Sequence, residues 1–198
     1  MMNKIGIIDI GTNTVLCLKA SLDQDNINVI SDRRFHYRAG KRIDNVGNIS
    51  PEYKMGMRRA VLLAASTLED CSRIEMVAAE VLRKPKDGLE VASELSDEIG
   101  HPIKIIDPQR EVELSFAGAT YDLDNKNEIV AVVDIGGGST EMAVGSKGKP
   151  TSWSGVRLGA VTVCEIVGYE KPAKLYIETA NKIFRNSDFP QVFGKGIH

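Results

Sequence analysis

Asp134-Ile135-Gly136-Gly137-Gly138-Ser139-Thr140-Glu141 puts an acid, three consecutive glycines, two hydroxyls and a second acid into one short stretch. The chemistry this set suits is the holding of an oxyanion. Glycines let backbone N–H groups come close to phosphate oxygens, and the Ser139 and Thr140 hydroxyls add donors. Asp134 offers a carboxylate to a divalent cation that would offset phosphate charge, and Mg²⁺ is the expected cofactor. A glycine-rich hairpin turn would look the same, so this stretch alone decides little.

A second copy near the N-terminus carries more weight. Ile8-Asp9-Ile10-Gly11-Thr12-Asn13-Thr14 repeats the order apolar strand, Asp-Ile-Gly and small polar turn, and both copies then return to alternating apolar residues. Asp9 falls on Asp134, Gly11 on Gly136 and Thr14 on Ser139. A repeat this widely spaced implies two similar lobes, because solenoid repeats recur every 20 to 50 residues or so. Two lobes that face each other make a cleft. Gly11, Thr12, Asn13 and Thr14 on one side and Gly136, Gly137, Gly138, Ser139 and Thr140 on the other are the candidate phosphate contacts. Asp9 and Asp134 are the candidate metal ligands.

The elements that must position these turns alternate in the manner of an α/β protein. Ile27 to Ile30 reads as a third strand that closes a meander with the first hairpin. Ser31 to Arg42 carries Arg33, Arg34, Arg38, Lys41 and Arg42, a density that suits either a polyphosphate contact or a solvated edge strand. Ser50-Pro51 is an N-cap followed by proline at the first helical position, with Met55, Val61, Leu62, Ala65 and Leu68 expected on the inward face. Ile74 to Ala79 is a strand, and Arg83 follows it where ligands gather in α/β sheets, as the candidate cationic phosphate contact. A helix from Asp87-Gly88 to Gly100 should turn Leu89, Ala92, Leu95 and Ile99 inward. After a buried strand from Pro102 to Ile106, Asp107-Pro108 opens the helix that carries Glu111, whose carboxylate the helix macrodipole stabilises. Thr151 to Leu158 reads as a strand, Gly159-Ala160-Val161 as the step into a helix, and Pro172 to Phe184 as the last helix. Trp153 reads as core or lobe interface.

Bulk properties narrow the function classes. A formal charge of −2 argues against general attraction of polyanions, so nucleic acid is not an expected partner. Cys17, Cys71 and Cys164 have neither zinc nor disulfide spacing, which fits a reducing cytoplasm. No stretch has the layout of a signal peptide or the length of a membrane span.

In its motifs the chain is similar to the exopolyphosphatase and guanosine pentaphosphate phosphohydrolase family, a branch of the actin-like ATPase superfamily. The likeness rests on DIGTNT at Asp9 to Thr14, AAEVLR at Ala78 to Arg83, PQREVELSFAGA at Pro108 to Ala119, DIGGGSTE at Asp134 to Glu141 and VRLGAV at Val156 to Val161. It implies an α/β fold: an actin-like (ribonuclease H-like) lobe with a mixed sheet over residues 1–124, then a second, incomplete lobe of the same type over 125–198. It also implies that Glu111 activates the attacking water and that Arg83 lines the cleft. Glu141 is the other candidate base, and Arg38 matches a family arginine. Arg110 and Glu113 depart from the family pattern, which has paired glutamates followed by a small residue and arginine.

The activity these readings imply is metal-dependent hydrolysis of terminal phosphoanhydride bonds in inorganic polyphosphate or guanosine pentaphosphate. The alternative is a weak or inactive module that senses polyphosphate or an alarmone, favoured by the departures at Arg110 and Glu113 and by the incomplete second lobe. An ATPase or sugar kinase of the same superfamily is a third reading. An unfinished sheet edge makes a homo-oligomer an expectation.

Overall fold

The computed structural model describes residues 3–23, 26–37 and 42–187. Arg38, Lys41 and the segment from Asp188 to His198 lie outside the described residues. The chain divides into two compact units, 1–106 and 107–198.

The first unit is built on strands β1 (Lys4–Ile10), β2 (Thr14–Asp23), β3 (Asn26–His36), β4 (Arg73–Ala78) and β5 (Ile103–Ile105). Their order is β3-β2-β1-β4-β5. β1, β2 and β3 form an antiparallel meander, while β4 and β5 run parallel to β1. Parallel neighbours need helical crossovers, and α1 (Pro51–Ser66), the single-turn α2 (Glu80–Arg83) and α3 (Gly88–Ile99) provide them. Ser50 caps α1 by accepting from the Tyr53 amide, with Pro51 in the first turn. Gly100 ends α3 in the left-handed conformation at φ 77°, which its missing Cβ makes cheap.

The core lies on one face of this sheet. Ile8, Ile10, Val15, Cys17, Met76 and Ala78 meet Tyr53, Met57, Val61, Val91 and Leu95 from the helices and Leu68 from the turn after α1. Two inward assignments are corrected here: Met55 is 66% exposed and Leu89 78% exposed. Tyr53 and Met57 occupy the α1 face in place of Met55, and Val91 with Ala92 and Leu95 forms that of α3. β3 is the solvated edge strand, with Arg33 and Arg34 exposed. Arg42, counted among the surface cations, is instead fully buried and pairs with Glu80 at 3.3 Å.

The second unit begins with α4 (Pro108–Ala119), capped by Asp107, which accepts from the Arg110 amide at 2.8 Å. β6 (Val130–Ile135), β7 (Thr140–Ser146) and β8 (Lys149–Val156) form an antiparallel meander, followed by α5 (Ala160–Val167) and α6 (Ala173–Arg185). One face of this sheet packs on α4, where Val112 and Phe116 meet Ala143, Val130 and Val132. The other packs on the last two helices, where Met142, Val156 and Leu158 meet Val163, Ala180, Ile183 and Phe184. Because α4 packs on this sheet, the compact units divide at 106/107, where the sequence reading put the boundary at 124/125. Trp153, expected in a core or at a lobe interface, is exposed on β8 opposite Ala143. Leu175 and Ile177 of α6 are exposed too.

The cysteines are free. Cys17 is fully buried and lies 3.6 Å from the Ala64 carbonyl, whereas Cys71 in the first unit and Cys164 in the second are half-buried.

Candidate active site

The two Asp-Ile-Gly turns have the same closure. In the first unit the Gly11 amide donates to the Thr14 carbonyl at 3.0 Å; in the second the Gly136 amide donates to the Ser139 carbonyl at 2.9 Å. A Cβ on either glycine would come within 3.1 Å and 3.4 Å of those same carbonyl oxygens, so both turns are tight at the same atom. The register matches as well: Asp9 stands opposite Leu16 and Ile10 opposite Val15, while Asp134 stands opposite Glu141 and Ile135 opposite Thr140. The sequence pairing of Gly11 with Gly136 and of Thr14 with Ser139 is therefore a pairing in geometry.

Around the first turn, Tyr37 Oη donates to the Gly11 carbonyl and Tyr53 Oη to the Thr12 carbonyl. The Tyr37 amide donates to the Asn13 carbonyl at 3.2 Å, and Thr14 Oγ1 shares a hydrogen bond with His36 Nδ1 at 3.1 Å. Both tyrosines are buried, with ring centroids 5.3 Å apart in an edge-on contact. Burial holds the Tyr37 phenol well above the usual tyrosine range, with the neighbouring Tyr53 adding to the effect. Its hydroxyl therefore stays a donor. Arg83 follows β4, the strand parallel to β1, and its guanidinium donates to the Ile106 carbonyl. Ile106 in turn donates its amide to the Ala78 carbonyl at 2.9 Å, which ties Arg83 to the end of the parallel strands β1 and β4 that also carries the Gly11 turn.

In the second unit the start of α5 does the work the tyrosines do in the first. The Gly136 carbonyl accepts from the Ala160 amide at 3.0 Å, and the Gly137 carbonyl from the Val161 and Thr162 amides at 2.8 and 3.1 Å. Thr162 Oγ1 donates to the Gly138 carbonyl at 2.7 Å, and Thr140 Oγ1 to the Leu158 carbonyl at 2.5 Å. Gly159 makes this approach possible: a Cβ there would lie 2.4 Å from the Gly137 carbonyl carbon and 2.6 Å from the Gly138 nitrogen.

Acidic groups collect on the α4 face of the second sheet. Directly opposite residues of antiparallel strands point to the same face, so Asp134 and Glu141 stand side by side there. Ser115 Oγ donates to Asp134 Oδ2 at 2.6 Å. Glu111, one turn earlier on the same row of α4, is half-buried in the first turn of the helix. The departing residues pair with each other, Arg110 Nη1 to Glu113 Oε2 at 3.1 Å. Sequence reasoning missed Ser115, Tyr53 and Thr162. Only the position of Tyr53, three residues past the N-cap Ser50, hinted at an inward side chain.

A mixed sheet in the order β3-β2-β1-β4-β5, followed by a second meander with the same acid-glycine turn, defines an α/β protein of the actin-like (ribonuclease H-like) class. Comparison with known proteins gives the family. The chain belongs to the Ppx/GppA phosphatase family, whose sequence model matches residues 19–185. Exopolyphosphatase 2 of Mycobacterium tuberculosis is 28% identical over 196 residues, covering 93% of this chain and 61% of its own length. An exopolyphosphatase from Cytophaga hutchinsonii superposes with a TM-score of 0.83 at 21% identity, over 95% of this chain and 61% of that one. The Aquifex aeolicus PPX-GPPA enzyme superposes with a TM-score of 0.72 at 23% identity, over 93% and 64%. The chain thus spans under two thirds of the length of each of these relatives.

Proposed function

We propose that this protein hydrolyses the terminal phosphoanhydride bond of inorganic polyphosphate, with guanosine pentaphosphate as the other substrate of the same chemical type. The observation that carries the reading is the identical closure of two acid-glycine turns, together with Glu111, Ser115, Asp134 and Glu141 on one face of the second sheet. Membership of the Ppx/GppA phosphatase family and the exopolyphosphatase relatives support it.

In this mechanism each turn, Gly11 to Thr14 in the first unit and Gly136 to Thr140 in the second, holds phosphate oxygens through its own backbone amides and hydroxyls, and Arg83 adds positive charge in the first unit. Glu111 accepts a proton from the attacking water as general base, and Glu141 is the second candidate for that role. Most of the rate in phosphoryl transfer comes from such positioning and electrostatics. Among the described residues no group of three His, Cys, Asp or Glu is placed to hold a metal ion. Mg²⁺ commonly binds through one or two carboxylates, waters and substrate phosphates, so Asp134 in the second unit, or Asp9 in the first, would each serve as a ligand within its own unit. Bound there, it would neutralise charge on the phosphates. No described helix is long and apolar enough to cross a membrane, and the free cysteines accord with a cytoplasmic setting. Self-association into a homo-oligomer belongs to the same proposal, and sedimentation velocity reads it directly.

The test is phosphate release from polyphosphate, guanosine pentaphosphate and ATP side by side, with and without Mg²⁺. Glu111→Gln should lower turnover by about 10²- to 10⁴-fold, the range of a general base, and leave binding intact. An unchanged rate removes Glu111 from the mechanism. A second reading, a sensor that binds without turnover, is favoured by the Arg110–Glu113 pair that replaces the family pattern. Tight binding of polyphosphate by the wild type with no released phosphate would select it.

A further inference from the structure

We infer that Tyr37 and Tyr53 are positioning residues of the first turn, aiming its backbone amides as an anion cradle by holding its carbonyl groups from behind. This rests on the proposed phosphate-binding role of the turn.

The argument is one of peptide geometry. A trans peptide unit is planar, with its C=O and the N–H of the next residue pointing in opposite directions. No described peptide bond is cis. With the Gly11 carbonyl held by Tyr37 Oη, the Thr12 amide is directed away from that phenol. With the Thr12 carbonyl held by Tyr53 Oη, the Asn13 amide is directed away as well. The Asn13 carbonyl, held by the Tyr37 amide at 3.2 Å, fixes the Thr14 amide in the same way. Three successive amides are thereby turned from the buried tyrosines, the arrangement by which short backbone concavities bind anions.

The second unit is an internal control. Matched by the Gly11 and Gly136 closures, its three corresponding carbonyls, of Gly136, Gly137 and Gly138, are each held as well. The donors there are the Ala160, Val161 and Thr162 amides and the Thr162 hydroxyl, from the start of a helix. Among the described residues of the first unit no helix start donates to this turn; Tyr37, which follows β3, and Tyr53 do so. Two unrelated sets of donors hold the same three carbonyls, which is the signature of a requirement on amide direction rather than on any one residue type. Packing alone would not call for it, since phenylalanine fills the same volume as tyrosine.

Tyr37→Phe and Tyr53→Phe test this in the full chain, labelled with ¹⁵N and probed with inorganic tripolyphosphate. In the wild type, tripolyphosphate should shift the Thr12, Asn13 and Thr14 amide signals, and the two phenolic protons should exchange slowly with water. In Tyr53→Phe, the residual dipolar coupling of the Asn13 N–H should change without ligand, and the affinity for tripolyphosphate should fall about five- to tenfold, the loss of one hydrogen bond's net worth. Tyr37→Phe should do the same at the Thr12 amide. Shifts at the Gly137 and Gly138 amides should persist in both variants. Unchanged couplings and affinity in the variants overturn the inference, as does rapid exchange of both phenolic protons in the wild type, a measurement that stands even where a variant fails to fold. Absence of any wild-type shift with tripolyphosphate overturns the phosphate-binding role instead, while the unliganded couplings still decide the pinning.

Discussion

Gly159→Ala isolates how closely α5 must approach the second turn. Gly159 has φ −120° and ψ 175°, extended backbone open to alanine, so the substitution is not a test of conformational freedom. It is a test of space. The added methyl would sit 2.4 Å from both the carbon and the oxygen of the Gly137 carbonyl, about 1 Å inside ordinary contact, and the three nearest atoms are all backbone. Either α5 or the turn must give way. The hydrogen bonds from Ala160, Val161 and Thr162 to the Gly136 and Gly137 carbonyls stretch or break. Overpacking of this kind costs about 1–3 kcal/mol, and each lost bond about 0.5–1.5 kcal/mol net. With partial relaxation, a total near 2–3 kcal/mol is expected. Urea unfolding measures it, with Gly118→Ala as control: that site has nothing within 4 Å of an added Cβ and lies inside α4, where alanine should stabilise by about 0.5–1 kcal/mol. In parallel, tripolyphosphate should bind Gly159→Ala more weakly while the Thr12 and Asn13 amides respond as in wild type. A loss of stability under about 0.5 kcal/mol with unaltered binding would refute the claim that this approach shapes the turn.

Two further outcomes follow from charge placement. Asp70, held by Lys19 first and then Lys4 at 2.5 and 2.7 Å, has its carboxyl lowered to about 2. Its folded value lies below its unfolded one, so the stability it contributes is present above the ordinary aspartate range and is lost as pH falls from about 4 through 2. An NMR titration should find its midpoint near 2, and Lys19→Met should raise it. Glu80→Ala leaves the buried Arg42 guanidinium without its carboxylate and should cost about 3–5 kcal/mol, whereas the double change Arg42→Met with Glu80→Leu should recover much of that loss in chemical denaturation.

What the sequence made legible was local and repetitive. The match of Gly11 to Gly136 aligned two turns whose closing hydrogen bonds agree to within 0.1 Å, because a turn's closure depends on a few adjacent residues. The caps at Ser50 and Asp107 and the left-handed end at Gly100 were readable for the same reason. Helix phase was harder to read. α1 offers apolar residues at Tyr53, Met55, Met57, Val61 and Leu62, and periodicity alone admits two faces; the sheet below selects Tyr53 and Met57. On α3, Leu89 is as apolar as Leu95, yet only Leu95 meets the core. α4 carries a motif that reads onward from the first unit, which put the sequence boundary after it, whereas Val112 and Phe116 pack on the second sheet and α4 falls in the second compact unit. Tyr37, Tyr53 and Gly159 act on turns roughly 20 to 40 residues away in sequence, so no local pattern could have joined them.

The uneven burial of the cysteines gives the molecule its own pair of markers. With Cys17 sealed beneath α1, a thiol reagent added to the native protein meets one reachable sulfur in each half, Cys71 and Cys164. A spin label on each would turn the wild-type chain, without engineering, into a ruler. Electron resonance could then report whether the distance between the two labels changes as polyphosphate is added.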